Sequence, residues 1–219
     1  MNASLAGCRL LVSAGPTYED IDPVRFIGNR SSGKMGFAIA AAAAGRGAVV
    51  ALVAGPVQLP TPDRVTRIDV RSAAQMFDAV MAQLPCDAYI GAAAVADFTP
   101  RVVAADKLKK VAGQDSLALD LMRTRDILAE VAAHAQRPRA VVGFAEETTE
   151  VEAHALGKLE RKRLDFICAN RVGVEGSGFE SDDNALLVLG RDGFRRALGP
   201  ASKTDLAGLL LDLIAERLG

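Results

Sequence analysis

Two kinds of hydrophobic pattern alternate along this chain, and their alternation predicts an α/β fold. Short apolar runs are typical of buried parallel strands, and segments with helical periodicity lie between them. The runs occupy residues 9–14, 48–54, 87–94, 139–145 and 165–169, and the helical patterns occupy 33–46, 72–84, 125–136 and 149–163. We therefore predict a Rossmann-like, mostly parallel sheet with helices on both faces. Such sheets bind ligands at the carboxyl ends of their strands.

Helix starts are indicated by capping signals. Ser72 with Gln75, and Thr149 with Glu152, have the spacing of a capping box, and Ser202 has the same relation to Asp205 at the start of a leucine-striped helix over 202–218.

The C-terminal part differs from the rest. Residues 185–198 predict a hairpin that turns at 191–193, which would add a small antiparallel edge to the sheet. No linker divides the chain, so we predict a single domain over 1–219, with a flexible start over 1–7 and a lysine-bearing flap over 97–116.

Composition narrows the class of protein. The chain has 219 residues, 50% of them hydrophobic, and a formal net charge of -1, which suits one globular core and predicts no nucleic-acid partner. No uninterrupted apolar segment is long enough to span a bilayer, so we expect a cytoplasmic protein with no membrane partner. Cys8, Cys86 and Cys168 are far apart and odd in number, which favours reduced thiols over disulfides or a zinc cluster.

The stretch GNRSSGKM at 28–35 matches the phosphate-binding pattern G-x-x-x-x-G-K-[S/T] except at its last position, which is methionine. A true P-loop joins a strand directly to a helix. Here the strand ends near Ala14 and the helix begins near Gly33, with a long loop between them. We therefore predict a different phosphate site, formed by Ser31, Ser32 and the first amides of the helix; the alternative is that these serines only cap it.

Other polar groups follow predicted strands. Asp97 lies just beyond the strand at 87–94, and Lys107 with its neighbouring lysines follows on the flap. Lys158 and Lys162 are spaced i, i+4 on the helix after the strand at 139–145. An Asp at a strand end suits a ligand site in this architecture, whereas lysine clusters are more often solvated surface.

Several motifs occur together in order: AGPTYEDIDPVRFIGNRSSGKMG, AAAVADFTP, DKLKK, GFAEET and FICAN. With them the chain resembles the phosphopantothenate cysteine ligase family, also called phosphopantothenoylcysteine synthetase, over nearly its whole length. The resemblance implies a Rossmann-like ligase of coenzyme A biosynthesis, a homodimer, and possible association with a flavin-dependent decarboxylase, with no flavin in this chain.

The resemblance implies a two-step reaction. The carboxylate of 4′-phosphopantothenate attacks the α-phosphate of CTP to give 4′-phosphopantothenoyl-CMP and pyrophosphate, and the amine of L-cysteine then displaces CMP. Lys107 matches the family lysine linked to nucleotide binding and cytidylate formation, and Asn29 matches the asparagine linked to the acyl cytidylate. CTP is expected rather than ATP because SSGKMGFA and KLKK follow the bacterial form.

The family pattern also implies the nucleotide-binding residues, with Mg²⁺ held largely by the phosphates and Asp97 or Asp126 as candidate metal ligands. The nucleotide set is Ser31, Gly91, Ala92, Ala93, Asp97, Lys107, Arg125, Asp126, Ile127, Leu128, Phe144, Lys158 and Lys162.

Two alternatives from other classes remain open. A nicotinamide or flavin oxidoreductase would need a glycine-rich first turn and an acidic end to the second strand, and the chain has neither. A non-catalytic nucleotide-binding module would explain the phosphate-binding loop but not the combination of Asn29, Asp97 and Lys107.

Overall fold

A computed structural model describes residues 3–110, 113, 115–147, 149–171 and 183–219. Strands and helices alternate through most of them. The strands are β1 (Arg9–Ala14), β2 (Tyr18–Asp20), β3 (Phe26–Gly28), β4 (Val49–Ala54), β5 (Val65–Asp69), β6 (Ala88–Gly91), β7 (Phe98–Pro100), β8 (Leu121–Arg123), β9 (Ala140–Glu147), β10 (Phe166–Arg171), β11 (Asp183–Gly190) and β12 (Arg195–Ser202). The helices are α1 (Lys34–Gly45), α2 (Ala73–Ala82), α3 (Ile127–Ala133), α4 (Val151–Arg161) and α5 (Lys203–Leu218).

Eight strands form the main sheet, in the order β12-β11-β10-β9-β6-β1-β4-β5. Six of them, from β10 to β5, are parallel, while β11 and β12 form an antiparallel hairpin at one edge. The Rossmann-like fold and its antiparallel addition are therefore confirmed. Strand β5 was not predicted because it lies at the other edge, where only partial burial allows the mixed sequence VTRID.

The helices cover both faces of the sheet. α1 and α5 pack on one face, where Phe37 and Leu210 belong to the same buried cluster. α2, α3 and α4 cover the other face, with Met76, Val131 and Leu159 in its core. Among the described residues, no helix combines the length and the apolar character needed to cross a bilayer.

α1 lies unusually close to the sheet. A Cβ atom added to Gly36 would be 2.5 Å from the Cβ of Ala14 in β1. The alanines that follow in α1 are small as well, and Ala40, Ala43 and Ala44 are buried. The alanine run therefore packs closely against the sheet.

Two of the three predicted caps are present. Ser72 and Gln75 form a reciprocal capping box at α2, and Ser202 accepts a hydrogen bond from the amide of Asp205 at α5. The prediction for α4 was wrong. Strand β9 continues to Glu147, so the turn into α4 is short and the N-cap position falls on Glu150, at φ 46° and with no side-chain cap.

The predicted long loop between β1 and α1 contains regular structure. β2 and β3 pair in it as an antiparallel hairpin. The rings of Tyr18 and Phe26 stack across the hairpin with centroids 4.0 Å apart. A Cβ at Gly28 would lie 2.6 Å from Tyr18 Cδ1, so glycine permits this close approach.

The first residues of the predicted flap belong to a two-stranded antiparallel sheet, which we call the arm. It consists of β7 and β8, which pair with each other rather than with the main sheet. Positions 111, 112 and 114 of the predicted flap lie outside the described residues.

The start of the chain, predicted to be flexible over 1–7, makes several contacts from residue 3 onward. The amide of Ala3 donates to the carboxylate of Asp212, and Leu5 is buried in the core.

Candidate functional site

A cleft of about 610 Å³ opens at the carboxyl ends of the central strands, between the starts of α1, α3 and α5. Its position agrees with the rule for open parallel sheets. Among its lining residues are Asn29, Ser31, Gly91, Ala92, Ala93, Asp97, Arg125, Asp126, Ile127, Leu128, Phe144, Lys158 and Lys162. The fold thus brings together every predicted nucleotide-binding residue except Lys107.

The N-terminus of α1 forms one wall of the cleft. Residues 33–36 line it, and Gly33 is the N-cap residue, at φ 75° and with no side-chain cap. The amide of Gly33 donates to Ser31 Oγ at 3.3 Å, so Ser31 orders the approach to the helix rather than capping its first turn. An uncapped helix start that lines a cleft can bind an anion through its amides.

Asn29 follows β3 and reaches across to the end of β6. Its Nδ2 donates to the carbonyl of Ala94 at 3.1 Å. An asparagine amide has a second proton and a carbonyl oxygen, both suited to an uncharged contact with substrate. This hydrogen bond fixes the side chain at the cleft wall.

The floor of the cleft is made from small residues near β6. A Cβ at Gly91 would be 2.9 Å from Leu128 Cδ2, so α3 approaches the strand closely. Beneath it, Ser13 Oγ and Tyr89 Oη are 2.9 Å apart and buried. Burial raises the pKa of the Tyr89 phenol well above its ordinary value, so this tyrosine stays protonated and serves as a neutral hydrogen-bonding group.

The arm borders the cleft through two hydrogen bonds at its base. Thr124 Oγ1 donates to the carbonyl of Ala96 at 2.7 Å, and the amide of Thr124 donates to the carbonyl of Asp97 at 3.0 Å. These bonds hold Asp97 at the rim, where its side chain is exposed to solvent.

The start of α3 and the C-terminal half of α4 meet at the opposite wall. Asp126 caps α3 by accepting from the amide of Ala129, and its other carboxylate oxygen lies 2.9 Å from Lys162 Nζ. Only 17% of the Lys162 side chain is exposed. Lys162 therefore does not belong to a solvated face. Nearby, the guanidinium of Arg125 lies over the ring of Phe77, 3.3 Å from its centroid.

Lys107 is not among the cleft-lining residues. It is exposed on the segment that follows β7, and the next residue, Leu108, is held by the β2–β3 hairpin. The structure therefore separates the two predicted catalytic residues: Asn29 lies in the cleft and Lys107 lies outside it.

Polar residues that the sequence analysis did not single out complete the cleft. Asn170 at the end of β10 is 5% exposed, and Lys203 at the start of α5 is 7% exposed; Asn184 and Lys34 also line the cleft. Asn170 could have been found because it follows a predicted strand, in the motif FICAN. Lys203 gives a weaker signal, a lysine in the first turn of a helix, where the dipole disfavours it.

The described residues contain no group of three or more His, Cys, Asp or Glu side chains that could hold a metal ion. Asp126 already pairs with Lys162 and caps α3. The donor set therefore does not build a cation site from protein ligands alone, and it fits a Mg²⁺ ion only where a ligand such as a triphosphate supplies most of the oxygens.

Comparison with known proteins gives consistent results. The model of a family described as the DNA/pantothenate metabolism flavoprotein C-terminal domain matches residues 5–218. The chain is 51% identical over 213 residues to the Coenzyme A biosynthesis bifunctional protein CoaBC of Vibrio parahaemolyticus, covering 97% of this chain and 53% of that protein. It is 51% identical over 211 residues to the protein of that name from Escherichia coli K12, covering 95% and 52%. The chain thus spans about half the length of the curated relatives it matches.

Solved structures have the same fold. The crystal structure of the C-terminal domain of a Coenzyme A biosynthesis bifunctional protein CoaBC is 38% identical, with a TM-score of 0.83, and the match covers 99% of this chain and 97% of that one. A more distant structure, the Cab2 mutant H337A in complex with phosphopantothenate-cysteine, is 15% identical, with a TM-score of 0.78, and the match covers 96% of this chain and 87% of that one.

Proposed function

Since this chain belongs to the DNA/pantothenate metabolism flavoprotein C-terminal domain family, we propose that it is a phosphopantothenate–cysteine ligase of coenzyme A biosynthesis. It would join 4′-phosphopantothenate to L-cysteine at the expense of CTP. Relatives about 50% identical to it are named as proteins of coenzyme A biosynthesis, and a distant neighbour binds phosphopantothenate-cysteine.

One observation carries the proposal. A single cleft gathers a helix N-terminus with no side-chain cap, an amide at Asn29, and two lysines, one on α4 and one at its C-cap. This combination suits a ligand with several negative oxygens and a reacting carboxyl group that must be kept from water.

In the first step, the carboxylate of 4′-phosphopantothenate attacks the α-phosphorus of CTP, and the bond to pyrophosphate breaks. Carboxylates acylate poorly at neutral pH, so forming a mixed anhydride divides a difficult reaction into two easier ones. The amides at the start of α1 and the ammonium groups of Lys158 and Lys162 would bind the phosphates. The Lys107 side chain lies outside the cleft in this structure, so it would have to reach toward the bound triphosphate to stabilise the charge that develops on the phosphoryl oxygens.

In the second step, the amine of cysteine attacks the acyl carbon of 4′-phosphopantothenoyl-CMP, and CMP leaves. Negative charge moves onto the former carbonyl oxygen in the transition state. Asn29 is suited to donate to that oxygen because its amide does not titrate and because the bond to Ala94 fixes its orientation.

The nucleotide base would lie against the end of β6. Gly91, Ala92 and Ala93 expose little side chain, so a cytosine edge could approach their backbone, and Phe144 and Leu128 supply apolar surface. The start of α3, over 125–128, would close the other side of the base.

Mg²⁺ would accompany the triphosphate and neutralise part of its charge. Asp97 is the better of the two candidate ligands, because Asp126 is already engaged by Lys162.

A homodimer is supported by exposed apolar side chains on the β2–β3 hairpin and on the segment after β7, two segments joined by the hydrogen bond from the amide of Ala104 to the carbonyl of Ile21. Val24, Phe26, Val102 and Val103 are between 45% and 78% exposed there. Exposed apolar side chains on neighbouring segments suit an association site. We further propose a cytoplasmic location, which suits cysteines that form no disulfide, and covalent or non-covalent association with a flavin-dependent decarboxylase.

The experiment that tests the function follows both products. Purified protein with Mg²⁺ should release pyrophosphate from CTP only when 4′-phosphopantothenate is present, and release CMP only when cysteine is added. ATP is run in parallel, and equal or faster turnover with ATP would contradict the choice of CTP. Absence of both releases with either nucleotide would exclude the ligase.

A further inference from the structure

The turn of the β2–β3 hairpin contains a buried carboxylate. Asp22 is 2% exposed. Its Oδ1 accepts the amides of Val24 and Arg25, each at 2.8 Å, and its Oδ2 accepts Arg25 Nε at 3.0 Å and Nη2 at 2.5 Å. Both guanidinium donors go to the same carboxylate oxygen, and the rigid guanidinium gives this pair a more definite geometry than a lysine pair would have.

This ion pair also binds the backbone of Leu108, which is distant in sequence. The amide of Leu108 donates to Asp22 Oδ2 at 3.1 Å, and the carbonyl of Leu108 accepts from Arg25 Nη2 at 2.8 Å. Both backbone polar groups of the residue next to Lys107 are therefore bound by one ion pair. We call this arrangement, in which Asp22 and Arg25 bind the backbone of Leu108, the clasp. A third hydrogen bond, from the amide of Ala104 to the carbonyl of Ile21 at 3.0 Å, holds the same segment four residues earlier.

The local turn does not require these long-range contacts. Asp22 already satisfies the amides of Val24 and Arg25, as an aspartate commonly does in a tight turn. The bonds to Leu108 span more than 80 positions in sequence, so they constrain the segment 104–108 and not the hairpin alone.

We propose that Asp22 and Arg25 are positioning residues: by holding the backbone of Leu108, they fix the point from which the Lys107 side chain, which lies outside the cleft in this structure, would reach toward a bound triphosphate. This inference rests on the role given to Lys107 in the proposed function. Asn29 follows directly after the second strand of the same hairpin, so one small element connects the residue proposed for the second step with the lysine proposed for the first.

The charge on Asp22 is secure over the range in which the enzyme would work. The guanidinium of Arg25, with further hydrogen bonds from the amides of Val24, Leu108 and Arg25, holds the pKa of this carboxyl well below its ordinary value, despite burial. The clasp therefore persists at neutral pH.

The test is a double-mutant cycle on the first step, in the full chain. Asp22→Asn keeps the shape of the side chain but removes its charge. We expect it to slow single-turnover pyrophosphate release by on the order of 10-fold to 10²-fold, since small misplacements of a catalytic group have effects of this size. In a Lys107→Ala background the same substitution should slow release by less than about twofold, because residues that act through one another are not additive. Equal losses in both backgrounds would overturn the proposal, since a general structural role gives that result.

Limited proteolysis provides a readout that does not depend on activity. Trypsin cleaves after lysine, and cleavage after Lys107 can be mapped by mass spectrometry. Asp22→Asn should accelerate it several-fold. Arg25→Lys, which keeps the charge but lacks the fork needed to reach Asp22 and Leu108 together, should give an intermediate rate.

Asp20→Asn is the matched control. Asp20 belongs to the same hairpin but pairs with Arg71 at 2.6 Å. It should leave both the cleavage rate and pyrophosphate release within about twofold of wild type, as expected for an exposed pair. If cleavage after Lys107 is unchanged in Asp22→Asn, the clasp does not hold the segment. If wild type releases no pyrophosphate, the function fails and with it the role of Lys107, whereas faster cleavage would still identify Asp22 as the anchor.

Discussion

Lys162 Nζ lies 2.9 Å from Asp126 Oδ2, and this contact joins the C-cap of α4 to the N-cap of α3 at the wall of the cleft. The lysine side chain is 17% exposed and the aspartate 45%. Asp126, which caps α3, therefore holds the ammonium group of Lys162 beside the cleft.

The first prediction concerns this cation. Lys162→Met should raise the KM for CTP by about 10-fold or more, since hydrogen bonds to charged groups contribute on the order of 1.5–3 kcal/mol. Steady-state kinetics with CTP as the varied substrate measures the change. Asp126→Asn, which retains a good N-cap for α3, should have a smaller effect.

Arg161→Met is the control for Lys162, because Arg161 lies on the same helix but does not line the cleft. Its KM for CTP should stay near wild type. Equal effects of the substitutions at 161 and 162 would mean that only the net charge of α4 matters.

A second prediction separates the two chemical steps at Asn29. Asn29→Ala should lower the rate of CMP release by about 10² to 10³, as the loss of an oxyanion donor typically does, and acyl cytidylate should accumulate. Quenched-flow samples analysed for 4′-phosphopantothenoyl-CMP test this. Arg30→Ala, at the neighbouring exposed position, should proceed to product normally. Absence of the intermediate in the Asn29 variant, with normal product formation, would contradict the role.

The third prediction concerns Lys107. Lys107→Ala should slow pyrophosphate release by at least about 10²-fold, because a cation aimed at a transferring phosphoryl group stabilises mainly the transition state. The unfolding temperature should not change, since the side chain is exposed. Lys110→Ala removes the same charge three positions later and should retain most of the activity. Comparable losses in both variants would indicate a general electrostatic effect of the segment.

The sequence predicted most of the fold because the fold depends on patterns that are local. The parallel strands β1, β4, β6, β9 and β10 are buried on both faces and appear as apolar runs. The short strands β2, β3, β7 and β8 lie outside the main sheet and have no such run. Their pairing depends on contacts such as the stacking of Tyr18 on Phe26, which a hydrophobic pattern does not contain.

The cleft was predictable to a similar degree for a different reason. Parallel strands bring their carboxyl ends to one edge, so Asp97, Phe144 and Ser31 meet once the topology is known. The partner of Lys162 was not predictable, because Asp126 lies more than 30 positions away in sequence and was expected to bind the nucleotide or a metal. The clasp on Leu108 was not predictable either, because a hydrogen bond to a backbone group does not depend on the side chain of the residue that is bound.

A fourth prediction tests the close packing of α1. Gly36→Ala should destabilise the protein by about 1–3 kcal/mol, because the new methyl group would overlap the Cβ of Ala14 in a packed interior. For a chain of this size, that loss lowers the unfolding temperature by about 2–4 °C per kcal/mol. Thermal unfolding followed by circular dichroism measures it.

Gly157→Ala is the matched control for Gly36. Gly157 also lies inside a helix, but a Cβ there meets no atom within 4 Å. Alanine has the higher helix propensity, by about 0.8–1 kcal/mol, so this variant should be as stable as wild type or more stable. A loss of stability at both positions would show that the effect comes from the helices and not from the contact with β1.

The last prediction concerns Lys203, the first residue of α5. This lysine is 7% exposed and lines the cleft, and α5 packs beside α1 on the same face of the sheet. A cation in the first turn is unfavourable for the helix dipole. The place of Lys203 in the cleft lining would let it bind a negatively charged ligand beside the starts of α1 and α5. Lys203→Met should therefore raise the KM for CTP by about 10-fold, the effect of losing one charge-assisted hydrogen bond, while the helix itself is retained. Isothermal titration with CTP and Mg²⁺ gives the affinity directly, and Thr204→Met, at the next and exposed position, is the comparison. If CTP binds the Lys203 variant as tightly as wild type, the anionic part of the substrate lies at the α1 end of the cleft alone.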